Sequence, residues 1–115
     1  MPLVDVTFDG NLPESALRAL SDLLPDIVAE GVACPEEPWE GPPKAGDIEI
    51  RFHEKSRLNV GDLNCVIEVR SKLVPSRVLD KQLRADRMHE AIVEAIPSIG
   101  ALGLWLVLVE GAWAQ

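Results

Sequence analysis

Pro2 has the clearest chemical promise of any residue in this chain. Methionine is removed efficiently when a proline follows it, and loss of Met1 would leave a secondary amine ahead of the alternating stretch from Leu3 to Phe8. Most chain termini are solvated and charged at neutral pH. An amine held at a sheet edge beneath apolar side chains has its protonated form destabilised and its pKa lowered. It could then take up or release a proton near pH 7. The plainer alternative is a proline that merely opens a strand, since proline is about one residue in twenty of ordinary sequence. Other reactive types are poorly arranged. His53 and His89 lie far apart, and no His/Cys spacing fits a metal site, so no metal or other cofactor is expected. Cys65 reads as an inert core thiol, whereas Cys34 reads as a more exposed thiol with no base to activate it. Gly100, Gly103 and Gly111 precede no helix, which excludes a phosphate-binding turn. The serines lack a nucleophile-elbow context.

The elements that must position these residues follow from periodicity. Val4, Val6 and Phe8 alternate with Leu3, Asp5 and Thr7, predicting a strand that starts at residue 2. Asn11, three residues before Glu14, predicts an N-cap with Pro13 in the first turn. Leu17, Leu20, Leu24, Ile27 and Val28 give an apolar helical stripe. Pro25 predicts a kink or break near Leu24, and Gly31 a C-terminal stop. Residues 31–46, GVACPEEPWEGPPKAG, read as a long loop, a lid or a contact between subunits, in which Trp39 needs cover. Ile48, Ile50 and Phe52 mark a second strand and residues 63–71 a third. A second helix begins at Pro75–Ser76 and carries Val78, Ala85, Met88, Ile92 and Ala95 on one face. Residues 102–109, LGLWLVLV, are apolar on both faces and predict a strand that is central or doubly covered.

The order is strand, helix, strand, repeated once, in one domain spanning 1–115 with pseudo-repeats 1–58 and 59–115. The predicted fold class is α/β (α+β in some schemes): two consecutive β-α-β units forming a four-stranded sheet with two helices on one face. Trp105, Val107 and Val109 would then point away from the helices. Such a strip on the bare sheet face calls for self-association in closed symmetry.

A proline after Met1 at the head of the first strand, followed by two β-α-β units in this length, resembles the tautomerase superfamily. The resemblance is greatest to the branch of 5-carboxymethyl-2-hydroxymuconate isomerase and macrophage migration inhibitory factor. It rests on MPLVDVTF, on IEIRFHE at 48–54, and on the run from VIEVRSK at 66–72 through PSR at 75–77. It implies a homotrimer with sheets inside and helices outside. It further implies that Pro2 is the acid/base residue, moving a proton between carbon and oxygen sites of a small enolisable, anionic carbonyl or enol substrate, often a carboxylate. Arg51 matches in position an arginine that binds substrate carboxylate in short-chain members of the superfamily. A guanidinium suits that task, because its fork can hold a carboxylate and polarise a developing enolate. An ion pair with Glu49, Glu68 or another strand carboxylate is the equal alternative. Arg77 falls where the isomerase branch carries an arginine and would be a second anion contact, or else a surface ion pair. Arg70 and Lys72 would gather an anion near the mouth of the site, or simply solvate a strand end. The chain lacks tyrosine, so no phenol can serve, and Asp9-Gly10-Asn11 stands where short-chain members carry an arginine.

Composition bounds the rest. The 115 residues are 47% hydrophobic and 26% charged, enough to form a core, and the net charge of -8 disfavours nucleic acid. Two cysteines make no disulfide framework, which suits a reducing compartment. The start has no signal-peptide pattern, and residues 99–109 are too short to span a bilayer. A cytoplasmic protein without a membrane partner is expected. The rival functions are a decarboxylase or hydratase using the same proline, and a trimer of this fold that lost its site.

Overall fold

The computed structural model describes residues 2–44 and 46–115. Its sheet contains β1 (Leu3–Phe8), β2 (Glu49–Glu54), β3 (Cys65–Lys72) and β4 (Leu102–Val109) in the spatial order β2-β1-β3-β4. β1 runs parallel to β2 and β3 parallel to β4, while β1 and β3 meet antiparallel at the centre. The two main helices, α1 (Glu14–Val32) and α3 (Lys81–Ala95), each bridge a parallel pair, and the short helix α2 (Pro75–Leu79) precedes α3. This is a mixed α+β sheet with its helices on one face, as the repeated pattern predicted.

Period-two burial explains the strands. Val4 and Val6 on β1 and Cys65, Ile67 and Val69 on β3 are fully buried under the helices. Their neighbours in sequence turn to the other face. On α1, Ala16, Leu20, Leu24, Val28 and Val32 recur every fourth residue, and all are buried. The two helices meet where Gly31 lies against the buried Met88, because a Cβ at position 31 would overlap the Met88 side chain.

Several local expectations are corrected. α1 passes through Pro25 without a break. The carbonyl that loses its partner is that of Ser21, an exposed residue that water can satisfy. The proline penalty of about 3 kcal/mol is offset by the buried stripe, at about 1.5–3 kcal/mol for each large side chain. Asn11 does not cap α1. Its backbone N–H instead donates to Asp9 Oδ1 at 3.0 Å, and the helix starts after the extended Pro13. Gly31 does not end the helix, which continues to Val32. The carbonyls of Gly31 and Ala33 at that end accept hydrogen bonds from Arg84 Nη1 at 3.1 and 2.7 Å. The second helix is interrupted at Asp80, whose carboxylate accepts from Arg84 Nε at 2.6 Å. Val78 and Ala95 accordingly miss the core and are exposed. β4 is an edge strand, not a central one: Leu102 and Leu106 are buried under the helices, but Trp105 on the reverse face is 70% exposed. Cys34 is buried rather than exposed.

Candidate functional site

Pro2 sits immediately before β1 and is buried. Its carbonyl accepts a hydrogen bond from the Glu49 N–H at 3.2 Å, so the β1–β2 ladder fixes it in place. Beside it opens a cavity of about 350 Å³, lined by Pro2, Glu37, Trp39, Ser71, Lys72, Arg77 and Trp113 among others. The size is that of a small-molecule pocket. Ends of β1, β3, α2, the 33–48 loop and the C-terminal tail thus converge on one proline.

Arg77 is the buried cation of this site, at 4% exposure. The first turn of α2 directs it inward, where Nε donates to Val32 O at 2.8 Å and Nη1 donates to Lys72 O at 3.0 Å. Nη1 also donates to Glu37 Oε1 at 2.8 Å, forming an ion pair. These bonds use Nε and Nη1. A guanidinium has five N–H donors, and the two on Nη2 meet no acceptor among the described residues. Two backbone carbonyls and a carboxylate hold the group rigidly, which is how a buried charge is retained.

Residues 36–39 of the loop are docked rather than loose. Trp39 donates from Nε1 to Ala29 O at 2.9 Å and packs against the core. Glu36 accepts from both the backbone N–H and the hydroxyl of Ser76, and these two bonds hold its carboxyl below the ordinary value. Adjacent acids Glu36 and Glu37 therefore clasp the adjacent residues Ser76 and Arg77 at the start of α2. Trp113, in the tail after β4, adds a second indole to the cavity wall.

The other predicted arginines stand elsewhere. Arg51 and Arg70 project from the bare face of the sheet onto Asp5, with Arg51 Nε at 3.3 Å from Oδ1 and Arg70 Nη1 at 3.3 Å from Oδ2. His53 Nε2 lies 2.8 Å from Asp5 Oδ1. Asp5 is held below its ordinary pKa first by the hydrogen bond from His53, against the opposing effect of burial, and then by the nearby charges of Arg51, His53 and Arg70. Arg70 also pairs with Glu68 at 3.0 Å. Lys72 does reach the cavity, at the end of β3, and its carbonyl helps hold Arg77. Of the five residues singled out in the sequence, Pro2, Arg77 and Lys72 are brought together, and Arg51 and Arg70 are not.

Glu37 and Trp113 went unnoticed in the sequence. A pair of acids in a proline-rich loop and a tryptophan in a tail carry no periodicity. Only the distant Ser-Arg pair at a helix start could have hinted at the partner of Glu36-Glu37. Among the described residues no group of three His, Cys, Asp or Glu side chains could hold a metal ion. Burial pushes the Cys65 thiol up to about 11, far from reactive.

The backbone path, with its parallel pairs joined antiparallel, decides the comparison with known structures. The fold is that of the tautomerases. A 5-carboxymethyl-2-hydroxymuconate isomerase from Deinococcus radiodurans R1 superposes with a TM-score of 0.65 at 15% identity, covering 99% of this chain and 88% of that one. A fused 4-OT symmetric trimer gives 0.63 at 16% identity over 93% and 85% of the two chains. FG41 malonate semialdehyde decarboxylase, in a structure inhibited by 3-bromopropiolate, gives 0.60 at 19% identity over 97% and 87%. No protein-family model and no curated protein sequence matches the chain. The tautomerase likeness is therefore one of fold, carried by topology. No described helix is long and apolar enough to cross a membrane.

Proposed function

We propose that the protein is an isomerase that moves a proton between carbon and oxygen of a small, enolisable, carboxylate-bearing carbonyl compound, with Pro2 as the acid/base residue. The observation that carries this reading is a buried proline at the head of a central strand, sharing one cavity with a buried guanidinium. Burial destabilises the N–H₂⁺ charge of a protonated secondary amine and so lowers its pKa toward neutrality. The neutral nitrogen takes the enol O–H proton, and the protonated nitrogen returns a proton to the substrate carbon, so that no atom is gained or lost. Arg77 holds the substrate carboxylate and stabilises negative charge that develops on the oxygen. Lys72, at the cavity rim, draws anions into a chain whose net charge of -8 otherwise repels them.

The assembly that fits this reading is a homotrimer like the fused 4-OT trimer of the same fold, with the open sheet faces turned inward. Arg51, Arg70 and Asp5 then belong to the assembly face and take no part in this cavity. The two free thiols suit a reducing, cytoplasmic setting. A decarboxylase using the same proline is the second reading, favoured by the likeness in fold to malonate semialdehyde decarboxylase.

The proton transfer requires a free imino nitrogen. Met1, whose removal would supply it, lies outside the described residues. Mass spectrometry of the protein made in cells should give the mass without Met1; full retention would leave an amide nitrogen without basicity and end the enzymatic reading. For the processed protein, Pro2→Ala assayed on an aryl-enolpyruvate should lower kcat by about 10²-fold or more, the usual scale of general acid/base catalysis. Equal rates in the variant would take Pro2 out of the mechanism. Carbon dioxide release from a 3-oxo acid, with no ketonisation of enols, would favour the decarboxylase.

A further inference from the structure

The 33–48 loop supplies two walls of the Pro2 cavity and fixes both to the rest of the chain. The sequence has two phenylalanines, three tryptophans and no tyrosine. The phenylalanines pair edge-to-face at a different part of the sheet, Phe8 with Phe52 at 6.4 Å between ring centroids, and Trp105 lies on the open face. The two remaining tryptophans, Trp39 and Trp113, line the same cavity as Pro2. In a chain so poor in aromatics this concentration marks a surface that meets something flat. Trp39 is the rigid one, with its indole N–H spent on Ala29 O at 2.9 Å and its ring packed on the core. Trp113 is half exposed, and its N–H turns to Gln115 in the same tail. A pre-set indole costs little ordering when a ligand stacks on it.

The polar end of the cavity is equally constrained. Glu37 occupies Nη1 of Arg77 at 2.8 Å, and Nη2 has no partner among the described residues. The cavity's side-chain charges, Arg77 and Lys72 against Glu37 and Asp47, cancel. Such a site can take one carboxylate at Nη2, but it lacks the surplus positive charge that a second carboxylate would need.

We propose that Trp39 and Glu37 are the specificity-determining residues of this cavity: Trp39 is the face on which a flat, conjugated substrate body stacks, and Glu37 restricts the guanidinium of Arg77 to a single substrate carboxylate. The proposal rests on the reading of the cavity around Pro2 as the site of proton transfer, and it goes on to name which enols enter. The favoured substrate is a monocarboxylate whose enol is conjugated to a planar group. Dicarboxylates and short alkyl acids are the discriminated classes.

Three enols test it on the processed protein: an aryl-enolpyruvate, an alkyl-enolpyruvate without the ring, and the aryl compound bearing a second carboxylate on the ring. Trp39→Leu should lose about tenfold in kcat/KM for the aryl substrate, mostly through KM, and under about twofold for the alkyl one. Trp39→Phe should restore most of the aryl rate. Glu37→Gln keeps an acceptor for Nη1 but removes the charge, and should raise kcat/KM for the dicarboxylate relative to the monocarboxylate by about fivefold or more. Equal losses on both substrates for Trp39→Leu, or an unchanged dicarboxylate ratio for Glu37→Gln, would overturn the assignment. Calorimetric titration with unreactive cinnamate and crotonate separates this proposal from the catalytic one. Cinnamate binding that depends on Trp39, with no enol turned over, would uphold the specificity residues and sink the proton transfer. Turnover without preference for the ring, or no binding of cinnamate, would sink the specificity residues.

Discussion

Asp5 and Glu37 are both carboxylates paired with arginine, yet the environment gives them different work. Glu37, its side chain 41% exposed, meets a guanidinium that is itself buried, so the pair stands where the cavity opens to water. Asp5 collects Arg51, Arg70 and His53 on an open sheet face, across the β1–β2 and β1–β3 ladders. Its carboxyl is held below the ordinary 3.8, first by the His53 hydrogen bond. The unfolded chain therefore binds this proton more readily than the folded one. The stabilisation is fully present above the ordinary value and is lost as pH falls through the lower folded value. Asp5→Asn should cost about 1 kcal/mol in urea unfolding at pH 7, the net scale of an ordinary hydrogen bond, since this charge cluster lies at a solvated face. The gap between variant and parent should narrow as pH is taken below 3.8. A gap that stays constant down to that range would mean that Asp5 contributes through something other than its charge.

At the scale of elements, the placement of the cavity depends on how closely α1 approaches α3, because the 33–48 loop leaves from the end of α1. Gly31 permits that approach against the buried Met88. Gly31→Ala would gain up to about 1 kcal/mol of helix propensity but would overpack the crossing, at about 1–3 kcal/mol. The overlap should win. We expect a net loss of about 1 kcal/mol and a lowered thermal midpoint; a raised midpoint would show that Met88 moves aside freely. The same contacts explain how far the sequence could be read. Alternating apolar residues made the first three strands legible, a continuous apolar run made β4 legible, and the repeated β-α-β order made the sheet legible. The uninterrupted α1, the turn at Asp80 and the edge position of β4 were not, because each is decided by what packs or pairs from far along the chain. LGLWLVLV looked central since both its faces are apolar, yet only one of them is covered within the chain. Pro2 and Arg77 stood out by position and resemblance. Their partner Glu37 did not, for the Arg77–Glu37 pair joins residues forty apart in sequence, through a loop with no periodic signal. For Arg51 the sequence allowed an ion pair with a strand carboxylate, and the residue opposite it on β1, Asp5, supplies one.

At the scale of the whole molecule, the helices cover one face of the sheet and leave the other bare. That second face is divided. Its middle carries the Asp5, Arg51, Arg70 and Glu68 charges, while the β4 side carries Trp105, 70% exposed, and Val109, 39% exposed. β4 also ends the sheet, so its outer backbone groups have no strand partner among the described residues. A long apolar edge beside an exposed tryptophan is a liability in a lone subunit and an asset in an assembly that closes on itself. In the trimer proposed above, Trp105 lies in the covered region. The position is also sensitive to charge, because Glu68 on β3 stands directly across from it in the ladder. Trp105→Glu would set like charges opposite each other within one subunit and repeat them around the threefold axis, in a chain already at -8. It would also remove an aromatic anchor of the kind that dominates interface energies. The parent protein should sediment at three times its 12.6 kDa chain mass, and the variant should shift toward the single-chain mass with its far-ultraviolet circular dichroism kept. A variant that remains trimeric would place the contact on another surface, and a parent that sediments as one chain would remove the trimer itself.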